Sequence, residues 1–229
     1  MRLQGALRRM ERDWNRRARR NARYHIATTQ TDWTDQEFLQ SGRVTIQQHI
    51  LNDMWNICGE HHPSRMRVLE LGCGAGRVTK ALAEVFGEVH GVDISGEMID
   101  AARVFLRGQT NAFVHKNNGM DLSVLGELEF DFAFSCLVFQ HIPSPGIIQN
   151  YFHEVSRRLR PGALFKCQVN GCLGRPRLLK FLSRNDTWLG AALSAEQAID
   201  FAERSSFEAR HMTGAGTQEF WLWLFKRPI

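Results

Sequence analysis

Val68-Leu69-Glu70-Leu71-Gly72-Cys73-Gly74-Ala75-Gly76-Arg77 is the stretch that decides the fold. A mostly apolar run carrying one acid leads into three glycines at alternate positions, and a helical pattern begins at about Val78. This is the pattern of a buried strand that feeds a glycine turn and then a helix N-terminus. Glycine lets the backbone amides of such a turn approach a ligand that a Cβ would hold off. The spacing is Gly-x-Gly-x-Gly, and Arg77 stands where a dinucleotide fingerprint needs its last glycine. With Glu70 two places ahead of the first glycine, the pattern points away from hydride transfer. It points to a nucleoside cofactor without a pyrophosphate.

Outward from this turn, strands and helices alternate. Arg67–Leu71 reads as a strand and Val78–Phe86 as a helix, followed by a strand Glu88–Asp93 that ends in an acid. Ser95 then caps a helix from about Gly96 to Leu106. Further strands are expected at Asn111–His115, Asp131–Leu137 and Leu164–Val169. A helix is expected over Ile147–Leu159, closed by Arg160-Pro161-Gly162. Residues 171–193 read as an irregular stretch with two short helical pieces, and Ser194–Arg204 as a helix. Phe207–Met212 and Phe220–Phe225 read as a terminal antiparallel hairpin. The alternation implies an α/β fold with a mostly parallel sheet and helices on both faces.

The chain of 229 residues is long enough for one domain with a proper core and a small appendage. No apolar run approaches the roughly 18 residues of a membrane span. The five cysteines, Cys58, Cys73, Cys136, Cys167 and Cys172, lack disulfide-framework spacing, which argues for a reducing, cytoplasmic compartment. The nine His are scattered, so no metal site is expected.

The formal net charge of +5 is local: residues 1–23 hold nine Arg against Glu11 and Asp13, which leaves the rest of the chain at −2. In this arm Leu3, Leu7, Met10, Trp14 and Ala18 fall at helical spacing, and Arg fills the remaining circumference. A cationic amphipathic helix follows. Packing of its apolar stripe on the domain is the leading reading, with contact to nucleic acid or to an anionic membrane surface as alternatives; a transit peptide fits poorly. Val44 to Ile57 reads as another helix, and Asp32 and Thr34-Asp35 offer N-cap chemistry. Residues 1–62 are accordingly expected to form an N-terminal helical cap. Residues 63–229 form the core, with 171–193 as a lid insertion.

These motifs in this order resemble the class I S-adenosylmethionine-dependent methyltransferases over about residues 66–227. The glycine stretch is similar to the family's first motif, and Val92-Asp93-Ile94-Ser95-Gly96-Glu97-Met98 to its second-strand motif. Asn118-Gly119-Met120-Asp121-Leu122 falls where the family has an acidic and a small residue. Phe130-Asp131-Phe132 and Leu159-Arg160-Pro161-Gly162-Ala163 match the entries to the fourth and fifth strands. Leu137-Val138-Phe139-Gln140-His141-Ile142-Pro143 is similar to a group of small bacterial methyltransferases.

The resemblance implies a Rossmann-like seven-stranded sheet and S-adenosyl-L-methionine as cofactor, with S-adenosyl-L-homocysteine as product. It implies that Asp93 holds the ribose hydroxyls and that Glu70 lies near the methionyl end. The backbone of Gly72, Cys73, Gly74 and Gly76 lines the ligand. Ile94 and Met98 flank the adenine, and Asn118, with Gly119 and Met120, reads its edge. Ser135 and Leu137 lie beside the methionyl group. Each role has a plainer reading in packing or turn formation, most of all Met98.

The sulfonium is already activated, so in-line transfer needs alignment above all. A base is required only for an acceptor protonated at working pH. His141, Gln140 and Tyr24 are the candidates for base or acceptor orientation, with a structural role for His141 as the stronger reading. Arg77, Trp14, Trp33 and Trp188 are candidate pocket walls. A small-molecule acceptor methylated on O or N is expected. RNA methylation guided by the Arg arm, or a catalytically silent binding protein, stand as alternatives.

Overall fold

The computed structural model describes residues 2–173 and 187–228. The region of the expected short helical pieces therefore lies largely outside the described residues. Seven strands form one sheet: β1 (Arg67–Leu71), β2 (Glu88–Asp93), β3 (Ala112–Lys116), β4 (Phe130–Ser135), β5 (Leu159–Val169), β6 (Phe207–Thr213) and β7 (Phe220–Lys226). Their order is β3-β2-β1-β4-β5-β7-β6. The first five are parallel to one another, and β7 runs antiparallel to both β5 and β6. The strand order reverses between β1 and β4, the position where open α/β sheets bind ligands beyond the strand ends.

Alternate residues of the strands feed two cores. Leu69, Leu71, Val92, Ala133 and Phe165 pack with α6 (Pro145–Arg158) and α7 (Ala195–Arg204). Val68, Val89, Phe132 and Phe134 pack on the opposite face with Ile46, Ile50 and Ile57 and with α4 (Arg77–Ala83). Cover on both faces buries all six residues of β4, Asp131 and Ser135 included.

The N-terminal region is helical: α1 (Arg2–Ile26), α2 (Asp35–His49) and α3 (Met54–Cys58). In α1, Asn21 leaves helical geometry at φ −169°, ψ 95°. Its Oδ1 accepts the Tyr24 amide at 3.0 Å, so the last turn restarts with Asn21 as its cap. Thr34 caps α2 through a reciprocal capping box with Glu37.

Two elements depart from expectation. The helix expected over Val44–Ile57 breaks after His49, because Lys166 Nζ on β5 draws the His49 carbonyl (2.6 Å) and the Asp53 carboxylate (2.5 Å) toward the sheet. Arg160-Pro161-Gly162 lies inside β5, where the pairing with β4 shifts register between Phe130 and Phe132. A bulge absorbs the proline, which has no amide to give the ladder. Among the described residues no helix is long and apolar enough to cross a membrane.

Candidate active site

The turn after β1 is held from the neighbouring strand. The Gly72 and Cys73 amides donate to the Val92 carbonyl at 2.8 and 3.1 Å, and the Gly74 amide donates to Asp93 Oδ2 at 3.0 Å. Gly72 has φ +70°, and a Cβ there would meet Val138 at 2.3 Å. Asp93 Oδ1 accepts the Ser95 amide at 2.8 Å, and Ser95 Oγ in turn caps α5 (Gly96–Phe105). Each Asp93 oxygen thus has one backbone partner and lone pairs left for a ligand.

A cavity of about 250 Å³ opens at this turn. Glu70, Gly72, Cys73, Asp93, Ile94 and Asn117 line one part of it. Leu137, Gln140, His141, Trp14, Trp188 and His25 line another. Burial pushes the Glu70 carboxyl up to about 7, against an opposing hydrogen bond from Thr79 Oγ1 at 2.6 Å. Burial also raises Asp93 to about 6, against its backbone hydrogen bonds. Two acids this far above their usual range in one cavity suit a ligand that brings positive charge. Burial pushes the Cys136 thiol up to about 12 and Cys73 well above its ordinary value, so neither is a thiolate nucleophile.

The far wall is aromatic. The His141 ring lies 5.1 Å from both Trp14 and Trp188, which are 6.1 Å apart, and His25 lies 6.3 Å from Trp188. His141 Nδ1 is 2.5 Å from the Trp188 carbonyl, which only accepts. Nδ1 therefore carries the proton, and Nε2 is the basic nitrogen, 3.2 Å from Gln140 Nε2. Arg77 is buried: Nη1 donates to the Ser41 carbonyl (2.7 Å) and to Thr45 Oγ1 (2.8 Å), while Nε has no partner among the described residues.

Glu70, Gly72, Cys73, Asp93, Ile94, Leu137, Gln140 and His141 thus come together, as their motifs anticipate. Others stand apart. Met98 is fully buried with Phe38, Ala75 and Phe105. Ser135 is fully buried and donates to the Leu71 carbonyl at 3.3 Å. Gly74 and Gly76 pack against Ile26 and Ala102. Tyr24 stacks edge-on against His25, and it is His25 that lines the cavity. Trp33 packs on Phe38, away from the cavity.

Asn118 is exposed and spent on its own loop: Oδ1 accepts the Met120 and Asp121 amides, and Nδ2 donates to Asp121. The asparagine at the cavity is Asn117, bonded to the Tyr151 hydroxyl (2.9 Å) and to the Gly119 amide (3.1 Å). Gly119 itself lies under Ile94 and Leu7, within 2.4 and 3.2 Å of where a Cβ would stand. Sequence spacing missed Asn117, Tyr151 and His25. It also missed Leu137's strained backbone, φ +61°, whose amide donates to Gln168 Oε1 at 3.1 Å.

Residues 68–162 match the model of a methyltransferase domain family. Among curated proteins the chain is 25% identical over 141 residues to the ubiquinone biosynthesis O-methyltransferase of Hydrogenovibrio crunogenus, covering 61% of this chain and 52% of that one. It is 27% identical over 159 residues to the same-named protein of Aromatoleum aromaticum, covering 65% and 66%. The chain thus spans about half to two thirds of the length of these relatives. Among solved structures, magnesium protoporphyrin IX methyltransferase from Synechocystis with bound S-adenosylhomocysteine superposes with a TM-score of 0.61 at 17% identity, covering 89% of this chain and 93% of that one. A methyltransferase from Mesorhizobium loti gives 0.57 at 19% identity, covering 73% and 93%.

Proposed function

From a chain that belongs to the class I S-adenosylmethionine-dependent methyltransferases, we propose an enzyme that methylates an oxygen or nitrogen atom of a small-molecule acceptor. One observation carries the reading. Glu70, Asp93 and the glycine turn converge on the same cavity that Trp14, His141 and Trp188 wall at its other part. When bound, S-adenosylmethionine supplies a methyl group activated on sulfonium and leaves as S-adenosylhomocysteine.

The residues fit that group. Asp93 has lone pairs for the ribose hydroxyls, Glu70 faces the cationic methionyl end, and the amides around Gly72 line the ligand. Asn117 takes the adenine edge, the role assigned by sequence to Asn118. Ile94 packs on the ring. The aromatic wall excludes water and holds the acceptor for in-line attack, and such positioning supplies on the order of 7–11 kcal/mol in favourable cases. His141 Nε2 takes the acceptor's proton, and Gln140 orients the acceptor.

Residues 1–62 serve as the cap over the core. The names of the relatives support oxygen as the methylated atom. The free state of all five cysteines supports a reducing cytoplasmic location.

Calorimetry with S-adenosylhomocysteine, S-adenosylmethionine and NAD is the first test. Binding of the first two in the micromolar range supports the reading, and binding of NAD alone overturns it. Isotopically labelled methyl transfer into fractionated small molecules and RNA then identifies the acceptor class.

A further inference from the structure

The outward face of α1 has no part in the cavity. At 3.6 residues per turn, the exposed Arg8, Arg9, Arg12, Arg16 and Arg20 fall within an arc of about 120°, and Arg19 on the same arc is paired with Glu97 of α5 at 2.9 Å. Within it Arg8, Arg12, Arg16 and Arg20 form a single row, about 6 Å from one to the next and about 18 Å long.

Both acids of the helix are turned off this row. Glu11 pairs with Lys116 at 2.7 Å, and Asp13 is 2% exposed, reached by Arg16 only at 3.5 Å. Arg8, Arg12 and Arg20 have no ion pair among the described residues. The opposite face is committed to the body, with Met10 and Arg17 buried, and at the edge of the arc Asn15 Oδ1 accepts the Ser95 hydroxyl at 2.7 Å. The row therefore faces solvent while the inner face stays docked.

We propose that this row docks the protein on an anionic lipid surface. Three observations select that partner. The cations form one ridge on a single side of the helix, with spacing below the Debye length of about 8 Å, so they act on a charged surface together. The arc contains arginine but no aromatic or amide side chain that would stack on or read a base. The rest of the chain sums to −2, so the excess of positive charge is concentrated in this helix rather than spread over the protein as along a nucleic-acid track. The inference is independent of which acceptor the enzyme methylates.

Co-sedimentation of the full chain tests it, using vesicles of phosphatidylcholine with and without phosphatidylglycerol. The protein binds only the anionic vesicles, and added salt releases it. The triple variant Arg8→Gln/Arg12→Gln/Arg20→Gln binds roughly a hundredfold more weakly with unchanged affinity for S-adenosylhomocysteine, which also reports that it is folded. The corresponding Lys variants retain most of the vesicle binding. Equal binding to both vesicle types, or a triple variant that binds like the parent, overturns the proposal. So does tighter binding to a single-stranded RNA oligonucleotide than to the anionic vesicles, which would assign the row to nucleic acid.

Discussion

Asp93 joins two backbone segments that sequence places far apart, the glycine turn and the start of α5. Asp93→Ala is expected to weaken S-adenosylhomocysteine binding by about 1–3 kcal/mol, the loss typical of hydrogen bonds to a charged group. Titration calorimetry measures this, and unchanged affinity would remove Asp93 from the site. Glu70 at about 7 and Asp93 at about 6 also impose a pH dependence. Both lie above their ordinary values, so the folded chain holds protons that the unfolded chain releases. Without ligand, stability therefore falls as pH rises from about 4 through about 7. A cationic ligand reverses the preference by favouring both carboxylates. Cofactor binding should tighten between about pH 5.5 and about pH 8 and release protons. Calorimetry in buffers of different ionisation enthalpy detects that release, and a pH-independent affinity without it would contradict the assignment. At this scale the acids and glycines were legible because strand ends and turns leave local marks. The choice of Asn117 over Asn118 was not, since a one-residue rotation after β3 depends on Tyr151 in a distant helix.

Among the elements, β1, β2 and α5 were readable almost to the residue, because period-two burial, the glycine turn and the Ser95 cap are local effects, whereas α4 ends at Ala83, three residues before the expected Phe86. The break between α2 and α3 was not readable, because its cause is a long-range contact. Lys166, 3% exposed, pairs with Asp53, which also accepts the Trp223 Nε1 hydrogen at 2.6 Å. This cluster ties the N-terminal helices to β5 and β7. Lys166→Ala leaves the Asp53 carboxylate without its cation and is expected to destabilise the fold by about 3–5 kcal/mol. Urea unfolding measures it; a loss below about 1 kcal/mol would mean that water takes over the role of Lys166.

For the molecule as a whole, the docking of α1 across α5 matters most. Asn15 with Ser95 and Arg19 with Glu97 (2.9 Å) hold it there, and Met10 and Trp14 thereby become walls of the cavity. Asn15→Leu with Arg19→Leu should loosen the helix and speed dissociation of S-adenosylhomocysteine several-fold. Stopped-flow tryptophan fluorescence reads the rate, and an unchanged rate would show that α1 does not gate the cofactor.

The sequence by itself determined the strand and helix order, the glycine turn, the pair of acids and the amphipathic character of α1, since each rests on interactions within a few residues along the chain. Tertiary structure decided which side chains meet. It brought Trp14 and His25 of the N-terminal region to His141 and Trp188, turned Met98 and Ser135 into the core, and left one row of arginines facing outward. Those outcomes follow from how helices dock on the sheet, where contacts between residues more than a hundred positions apart compete and local pattern has no vote.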